Sequence, residues 1–285
     1  MYDLARRTLI GTISLMVLPI LVWSIGWQWQ PAVSGWWLKP LFWMTETVSA
    51  PWGILTSVVL SAWFLWLLRV RIRPALVLLA IVLASVALGQ GVKSVMKNWT
   101  QEARPFVVWL EQAHQVDDRY FYSLPVDERA GLLEQQLQQE SQLPPWQRRH
   151  WQEQADYSFP SGHAMFAATW ALLAVGLLWT RRHYVTVLLT ILWANSVIGS
   201  RLVLGMHWPQ DVATATLISA GLTVVAVWLA QRWCGPLFIA AAPQTAIYYS
   251  ATHHPAIHHP ATHHPANNHP TNHPTTDHRP AHPDA

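Results

Sequence analysis

The chain has 285 residues, of which 52% are hydrophobic and only 12% carry a charge. Soluble domains usually have about 25% charged residues, so this composition indicates an integral membrane protein. The formal charge of +3 at neutral pH is too small to indicate nucleic-acid binding. Cys234 is the single cysteine, which excludes an internal disulfide.

Six apolar segments predict an all-α bundle of six transmembrane helices, because each is near the roughly 20 residues that cross a bilayer core. They cover about residues 8–27, 51–68, 74–96, 161–179, 184–199 and 210–233. Arg6 and Arg7 precede the first segment as in a signal peptide, but its apolar core is too long and no small-residue cleavage site follows. We therefore predict an uncleaved first span within a membrane domain of residues 1–236.

The first loop is rich in tryptophan. A cluster of this kind is typical of an aromatic belt at the level of the lipid headgroups. A role in stacking against a ligand is the alternative interpretation. The cluster consists of Trp27, Trp29, Trp36, Trp37, Trp43 and Trp52.

The polar segment 98–160 carries no predicted span. Residues 126–140 have the pattern of an amphipathic helix, with Leu132, Leu133 and Leu137 on one side. Pro144 and Pro145 end that helix and allow another at about 146–154. We expect a small helical insert over one membrane face, either a cap that steers lipid access or simply a folded loop.

The distribution of Lys and Arg predicts the orientation, because short loops rich in these residues stay in the cytoplasm. The N-terminus, the loops at 69–73 and 181–183 and the end of the last span are basic, whereas the opposite short loops carry only Lys39 and Arg201. Both termini should therefore be cytoplasmic. The insert should face outward from the bacterial inner membrane, which is towards the periplasm if the organism is Gram-negative.

Three motifs fall at the predicted outer ends of the spans. Pro209 suits the first turn of a helix, which would let Asp211 reach back to one ring nitrogen of His207 and leave the other free. The motifs are Lys97-(six residues)-Arg104-Pro105, Pro160-Ser161-Gly162-His163 and Ser200-Arg201-(five residues)-His207-(three residues)-Asp211.

Complete and in this order, the motifs resemble the type 2 phosphatidic acid phosphatase superfamily, from about residue 5 to about residue 236. The resemblance implies a phosphohistidine mechanism with three catalytic residues. His207 would be the nucleophile, and Asp211 would hold its ring in the attacking tautomer. His163 would protonate the leaving oxygen and then activate water.

The remaining motif residues are suited to binding phosphate. Lys97, Arg104 and Arg201 supply three positive charges, and arginine can grip phosphate oxygens with two hydrogen bonds. Ser161 and Gly162 lie at the start of a predicted helix, where free N–H groups attract anions. The motif spacing selects Lys97 over Lys93, one turn earlier. We expect no metal and no cofactor, because these cations would neutralise the phosphate.

The resemblance also implies the substrate class. A site at the outer headgroup level can receive a lipid phosphate from the bilayer, and phosphatidylglycerol phosphate is the substrate that the resemblance implies. Relatives also act on phosphatidic acid, lysophosphatidic acid, diacylglycerol pyrophosphate and undecaprenyl pyrophosphate. Two alternatives stay open: a lipid phosphotransferase with the same intermediate, and a non-enzymatic metal-binding membrane protein. A haloperoxidase shares the motifs, but six spans argue against it.

The C-terminal segment 237–285 is of low complexity and holds ten of the fifteen histidines. Its many prolines and few large apolar residues predict a disordered tail. Neutral imidazoles bind zinc, copper or nickel, so weak metal binding is one interpretation and a repeat without a role is the other. On the cytoplasmic side, the tail would not contribute to catalysis.

Overall fold

The computed structural model describes residues 2–31, 35–138, 140 and 143–234. Within these ranges the chain forms α-helices and a short 3-10 turn, without any β-strand, which confirms the all-α prediction. The predicted tail at 237–285 lies outside the described residues. The helices are α1 (Tyr2–Ser24), α2 (Leu38–Glu46), α3 (Trp52–Leu68), α4 (Ile72–Thr100), α5 (Pro105–His114), α6 (Asp118–Ser123), α7 (Val126–Leu137), α8 (Pro145–Glu153), α9 (Gly162–Leu178), α10 (Tyr184–Val203) and α11 (Pro209–Trp233).

Six of these helices correspond to the six predicted spans. α1, α4, α10 and α11, and α9 together with the 3-10 turn that extends it to Arg181, are long and apolar enough to cross a membrane. The sixth, α3, is apolar but has 17 residues, so it is about 26 Å long and slightly shorter than a typical hydrocarbon core. Large apolar side chains such as Ile54, Val58 and Trp66 on α3 are exposed, as expected for a surface that faces lipid.

α9 is the central helix of the bundle. It packs against α1, α3, α4, α10 and α11, and every residue from Ala164 to Leu178 is buried. Trp170 on α9 has no exposed surface and packs edge-to-face on Phe64 of α3 at 5.7 Å. A helix that is apolar on all sides is typical of the centre of a membrane protein. The N-terminus of α9 is therefore held firmly, and it carries one of the three motifs.

The insert has its own apolar core, built by α5 to α8 together with α2. Trp151 is fully buried there and stacks on Phe106 with ring centroids 5.0 Å apart. Trp29 from the first loop lies in the same core, only 8% exposed. Its predicted place in an aromatic belt is therefore wrong, because its ring packs edge-to-face against Trp151. Trp36, in contrast, is largely exposed.

The sequence patterns placed several helix ends imprecisely. α10 continues to Val203, and α4 continues to Thr100, so Arg201 and Lys97 both lie inside helices. α7 ends at Leu137, three residues before the predicted end. The two predicted insert helices are present as α7 and α8, whereas α5 and α6 had no prediction of their own.

Candidate active site

The turn between α10 and α11 is held by a row of hydrogen bonds to its carbonyl groups. The carbonyls of residues 203, 204, 205 and 206 each accept from a different group of the first loop or the insert. Carbonyls at the end of a helix lack a partner in the helix and need one elsewhere. The donors are, in that order, Trp29 Nε1 (2.7 Å), Trp151 Nε1 (3.1 Å), the Phe106 amide (3.0 Å) and Arg104 Nη1 (2.7 Å).

Gly205 is required at the centre of this turn for two reasons. Its φ of +71° lies in the left-handed region, where residues with a side chain are strained. A Cβ atom at this position would also lie only 2.5 Å from the ring of Trp29. Glycine therefore lets the tryptophan close over the turn, and the turn fixes the backbone of His207.

His207 and Asp211 are in contact at the start of α11. Pro209 is the first residue of the helix, which places Asp211 at its third position. Asp211 Oδ2 lies 3.1 Å from His207 Nδ1 and accepts the Trp208 amide at 2.9 Å. The contact between Asp211 and His207 is the one that the spacing predicted, and the same carboxylate also caps the helix.

The opposite ring nitrogen of His207 lies 3.2 Å from Arg104 Nη1. Because a guanidinium can only donate, Nε2 accepts and the ring proton is on Nδ1, facing Asp211. Burial, with the positive charges of Arg104, Arg201 and Lys97, holds the pKa of His207 well below its usual range. The ring is therefore neutral at neutral pH, with a lone pair on Nε2, which is the state that a nucleophile needs.

Ser158 is a further contact of this pair. Its hydroxyl donates to Asp211 Oδ2 and lies 3.4 Å from His207 Nδ1. Its amide donates to the Glu102 carbonyl at 2.8 Å, which fixes the loop before α9. Ser158 is fully buried, so it helps to satisfy a carboxylate that is itself removed from water.

Lys97 and Arg104 point at a common acidic partner. Lys97 Nζ donates to Asp156 Oδ2 at 2.7 Å and also to the Tyr157 carbonyl. Arg104 Nη2 donates to Asp156 Oδ1, and Arg104 Nε donates to the Asp156 carbonyl at 2.7 Å. Desolvation in the cavity raises the pKa of Asp156, but Arg104 and Lys97 outweigh it and lower the pKa below its usual range. The carboxylate is therefore ionised.

The second motif forms the start of α9. Ser161 is fully buried and is the N-cap residue, because its hydroxyl accepts the Ala164 amide at 3.3 Å. A Cβ atom on Gly162 would lie 2.6 Å from Cδ of Lys93, so glycine makes room for that lysine beside the helix start. Both lysines of α4 are therefore near this motif, although the spacing had singled out Lys97.

His163 is oriented by the end of the first loop. Its Nε2 lies 3.0 Å from the Ser49 hydroxyl. That hydroxyl donates to Glu46 Oε1 at 3.1 Å, at the end of α2. Ser49 therefore links the imidazole to a carboxylate at the end of α2.

Arg201 is fully buried and binds groups on α2 and the insert. Its Nη1 donates to Thr45 Oγ1 at 2.9 Å and to His150 Nε2 at 3.1 Å, and its Nη2 donates to Gln154 Oε1 at 2.5 Å. Burial, with the charge of Arg201 beside it, lowers the pKa of His150 to about 4. His150 is therefore neutral and can accept from the arginine.

A cavity of about 710 Å³ connects these groups. Five of the eight predicted site residues line it: Lys97, Arg104, Gly162, His163 and His207. The other three lie behind the wall. Asp211 contacts the ring of His207, Ser161 caps α9, and Arg201 is held by the insert.

Several polar residues that contact the motif residues had no role in the sequence analysis, among them Ser49, His150, Asp156 and Ser158. Each contacts a motif residue from a distant part of the chain, and spacing cannot reveal such contacts. Asp156 had one available signal, since it is the single charged residue in the stretch 154–162 that leads into the second motif.

The fold and these side chains define a helical membrane protein whose cavity is suited to a phosphate group. The chain belongs to the PAP2 superfamily, whose family model matches residues 78–234. It is 54% identical over 237 residues to phosphatidylglycerophosphatase B of Escherichia coli strain K12, which covers 83% of this chain and 93% of that protein.

Two further relatives widen this comparison. Phosphatidylglycerophosphatase B of Haemophilus influenzae is 33% identical over 226 residues, which covers 75% of this chain and 91% of that protein. An undecaprenyl-diphosphatase of Sulfolobus acidocaldarius is 39% identical over 82 residues, or 29% of this chain and 37% of that protein. The predicted membership of this superfamily is therefore confirmed.

Proposed function

We propose that this chain is a membrane lipid phosphatase that acts on phosphatidylglycerol phosphate and related lipid phosphates and pyrophosphates through a phosphohistidine intermediate. The observation that carries the proposal is the state of His207. Its Nδ1 proton faces Asp211, and its Nε2 lone pair meets Arg104 in a cavity that Lys97 also lines. The names of the relatives support the substrate class.

In the first step, the His207 Nε2 lone pair attacks phosphorus and forms a P–N bond. The P–O bond to the lipid alcohol breaks, and the leaving oxygen takes a proton from His163. Asp211 keeps the Nδ1 proton in place and stabilises the positive charge that develops on the imidazole. Phosphate esters react very slowly without catalysis. Alignment of the nucleophile and the acid with the bound phosphate lowers the activation free energy of this reaction.

In the second step, water attacks the phosphohistidine. His163, now neutral, takes a proton from the water as the new P–O bond forms. The P–N bond breaks, its electron pair returns to His207 Nε2, and inorganic phosphate is released. The protein ends in its starting state, with a proton on His163 and a lone pair on His207.

The positive charges stabilise the phosphoryl group in both steps. Lys97 and Arg104 would bind its oxygens directly, since both line the cavity. Arg201 would act through its charge, which already contributes to the low pKa of His207. Ser161 and Gly162 would place the N-terminus of α9, with its free N–H groups, beside the anion. The proposed chemistry needs neither a metal nor a cofactor.

We also propose the placement of the chain in the bacterial inner membrane. The basic loops favour cytoplasmic termini, which puts the insert and the cavity on the periplasmic side. Residues 1–236 would form the catalytic domain, and the tail at 237–285 would remain outside it. Weak metal binding by that tail is a separate hypothesis, and the phosphatase proposal does not depend on it.

Purified protein in detergent, incubated with a panel of lipid phosphates, provides the test. Stoichiometric inorganic phosphate from phosphatidylglycerol phosphate supports hydrolysis. Phosphate transferred to another lipid would instead identify a phosphotransferase. His207→Ala should eliminate turnover of phosphatidic acid and labelling of the protein by ³²P-lipid. Wild-type rates in that variant would overturn the proposed mechanism.

A further inference from the structure

The Asp156 carboxylate occupies the position where an anion would meet the two motif cations. One of its oxygens accepts from Lys97 and the other from Arg104. Both cations are buried, whereas 52% of the Asp156 side-chain surface is exposed. The carboxylate therefore borders the open cavity and has free space beside it.

The same arginine joins this carboxylate to the nucleophile. Arg104 Nη1 lies 3.2 Å from His207 Nε2, while Arg104 Nη2 donates to Asp156. A phosphate ready for attack by Nε2 would have to take donors from this guanidinium. Carboxylate and phosphate oxygens accept from arginine in the same fork geometry, so the two anions compete for the same hydrogen bonds.

Charge balance favours exchange of the two anions over their joint binding. The two groups that bind Asp156 directly, Lys97 and Arg104, carry two positive charges, which match one phosphate dianion. With Asp156 still bound to them, these two cations would face three negative charges, and the carboxylate and the phosphate would repel each other at close range. Asp156 lies in the loop between α8 and α9 and borders the open cavity, so a change of its rotamer would turn the carboxylate into the cavity opening.

We infer that Asp156 is an internal competitor for the substrate's phosphate: it binds Lys97 and Arg104 in the empty enzyme and must be displaced before a phosphate can bind. The inference rests on the proposed function. In the resting enzyme Asp156 keeps two buried cations paired. The free energy needed to displace Asp156 weakens the binding of every phosphate ligand, including the inorganic phosphate that the reaction releases. Asp156 thus determines affinity and product release without taking part in the bond changes.

A binding experiment tests this inference without using turnover. Isothermal titration calorimetry measures the Kd of inorganic phosphate for the purified full-length protein, in detergent at low salt. Asp156→Asn keeps the shape but removes the charge and the competition. We expect its Kd for phosphate to fall by about tenfold, as expected for the loss of a charged hydrogen-bonded competitor. Asp156→Ser should also lower the Kd for phosphate. This second variant keeps the test valid if one of the two folds poorly.

Glu153→Gln is the matched control, because Glu153 lines the same cavity and takes no part in the ion pairs of the described residues. We expect its Kd to change by less than about twofold, as for an exposed charge screened by solvent. Equal tightening in Glu153→Gln would overturn the inference, because a general change in charge would explain both results. Unchanged or weaker phosphate binding in both Asp156 variants would also overturn it and make Asp156 a residue that positions the cations.

The two proposals can fail separately. A wild-type protein that hydrolyses lipid phosphates, with Asp156 variants that bind phosphate no more tightly, contradicts only the competitor role. A wild-type protein that neither hydrolyses lipid phosphates nor binds inorganic phosphate contradicts the proposed function, and the competitor role with it.

Discussion

His207 Nδ1 and Asp211 Oδ2 are 3.1 Å apart, and both residues are almost completely buried. Asp211→Asn keeps an oxygen at this position but removes the charge and allows the wrong tautomer. We expect kcat for phosphatidic acid to fall by about 10²- to 10⁴-fold with little change in KM, as for a residue that acts mainly in the transition state. Steady-state kinetics distinguishes this from a rise in KM alone, which would assign Asp211 to substrate binding.

Ser49 is expected to position His163. Ser49→Ala removes the hydroxyl that connects the imidazole to Glu46, so we predict about a tenfold loss of kcat for phosphatidic acid and a shifted pH profile of kcat. His163→Ala should lose nearly all turnover of the same substrate. Ser57→Ala is the matched control, since Ser57 lines the cavity but bonds only to the Gly53 carbonyl of its own helix among the described contacts. An equal loss in Ser57→Ala would contradict a specific role for Ser49.

The buried His150 predicts a pH dependence of stability. Its pKa of about 4 in the folded protein lies below the ordinary value of 6.5. Between these values the unfolded chain binds a proton that the folded protein does not, so the free energy of unfolding falls as the pH falls from 6.5 towards 4. The loss from this residue should be about 3 kcal/mol, at 1.36 kcal/mol per pKa unit.

Thermal unfolding in detergent from pH 4 to pH 7 measures this effect. His150→Gln can still accept from Arg201 but does not titrate, so its melting temperature should depend less on pH. His183→Gln, in the loop before α10, is the control for the loss of a histidine elsewhere. The same pH slope in wild type and His150→Gln would show that another group is responsible.

The turn that carries His207 should depend on the indole N–H of Trp151. Trp151→Phe keeps an aromatic ring beside Phe106 but leaves the Leu204 carbonyl without this donor. We expect a loss of about 2–3 kcal/mol in unfolding free energy, from the unpaired carbonyl and the smaller ring. Chemical denaturation in detergent measures it. Trp99→Phe, at an 86% exposed position, should change stability by much less.

The tail and metal ions should both be dispensable for catalysis. Deletion of residues 243–285 should leave kcat and KM for phosphatidic acid within about twofold of wild type, because the proposed reaction uses only residues of the membrane domain. Excess EDTA should likewise leave the rate unchanged, since Lys97 and Arg104 would supply the positive charge. Loss of activity in either experiment would assign the tail or a metal a role that the proposal excludes.

The sequence predicted the parts of the fold that depend on local patterns. The apolar segments located all six membrane helices, and the four-residue spacing of His207 and Asp211 predicted their contact. Helix ends were placed less accurately, because the apolar run of α10 stops at Gly199 while the helix continues to Val203. Long-range contacts were missed, since no local pattern around Ser49 or Asp156 identifies the residues, about 50 to 110 positions away, that they contact.

Trp29 shows why composition alone can mislead. Six tryptophans near a membrane boundary favour a belt among the headgroups, and most of them are exposed. Trp29 differs because Gly205 leaves space for its ring and the Val203 carbonyl accepts its N–H. Both conditions arise about 170 residues away in the chain, so the first loop gives no sign of them.

The burial of α9 on every side limits which parts of this protein can move. Tilting the helix would require its five neighbouring helices to repack at once, so Gly162 and His163 form a fixed reference point for any bound lipid. Adaptation to headgroups of different size must then come from another part of the cavity wall, formed by residues 46–57 at the end of α2, in the loop after it and at the start of α3. Variation in chemical preference among related proteins should accordingly concentrate in that wall, and redesign of the protein for new lipids should begin there.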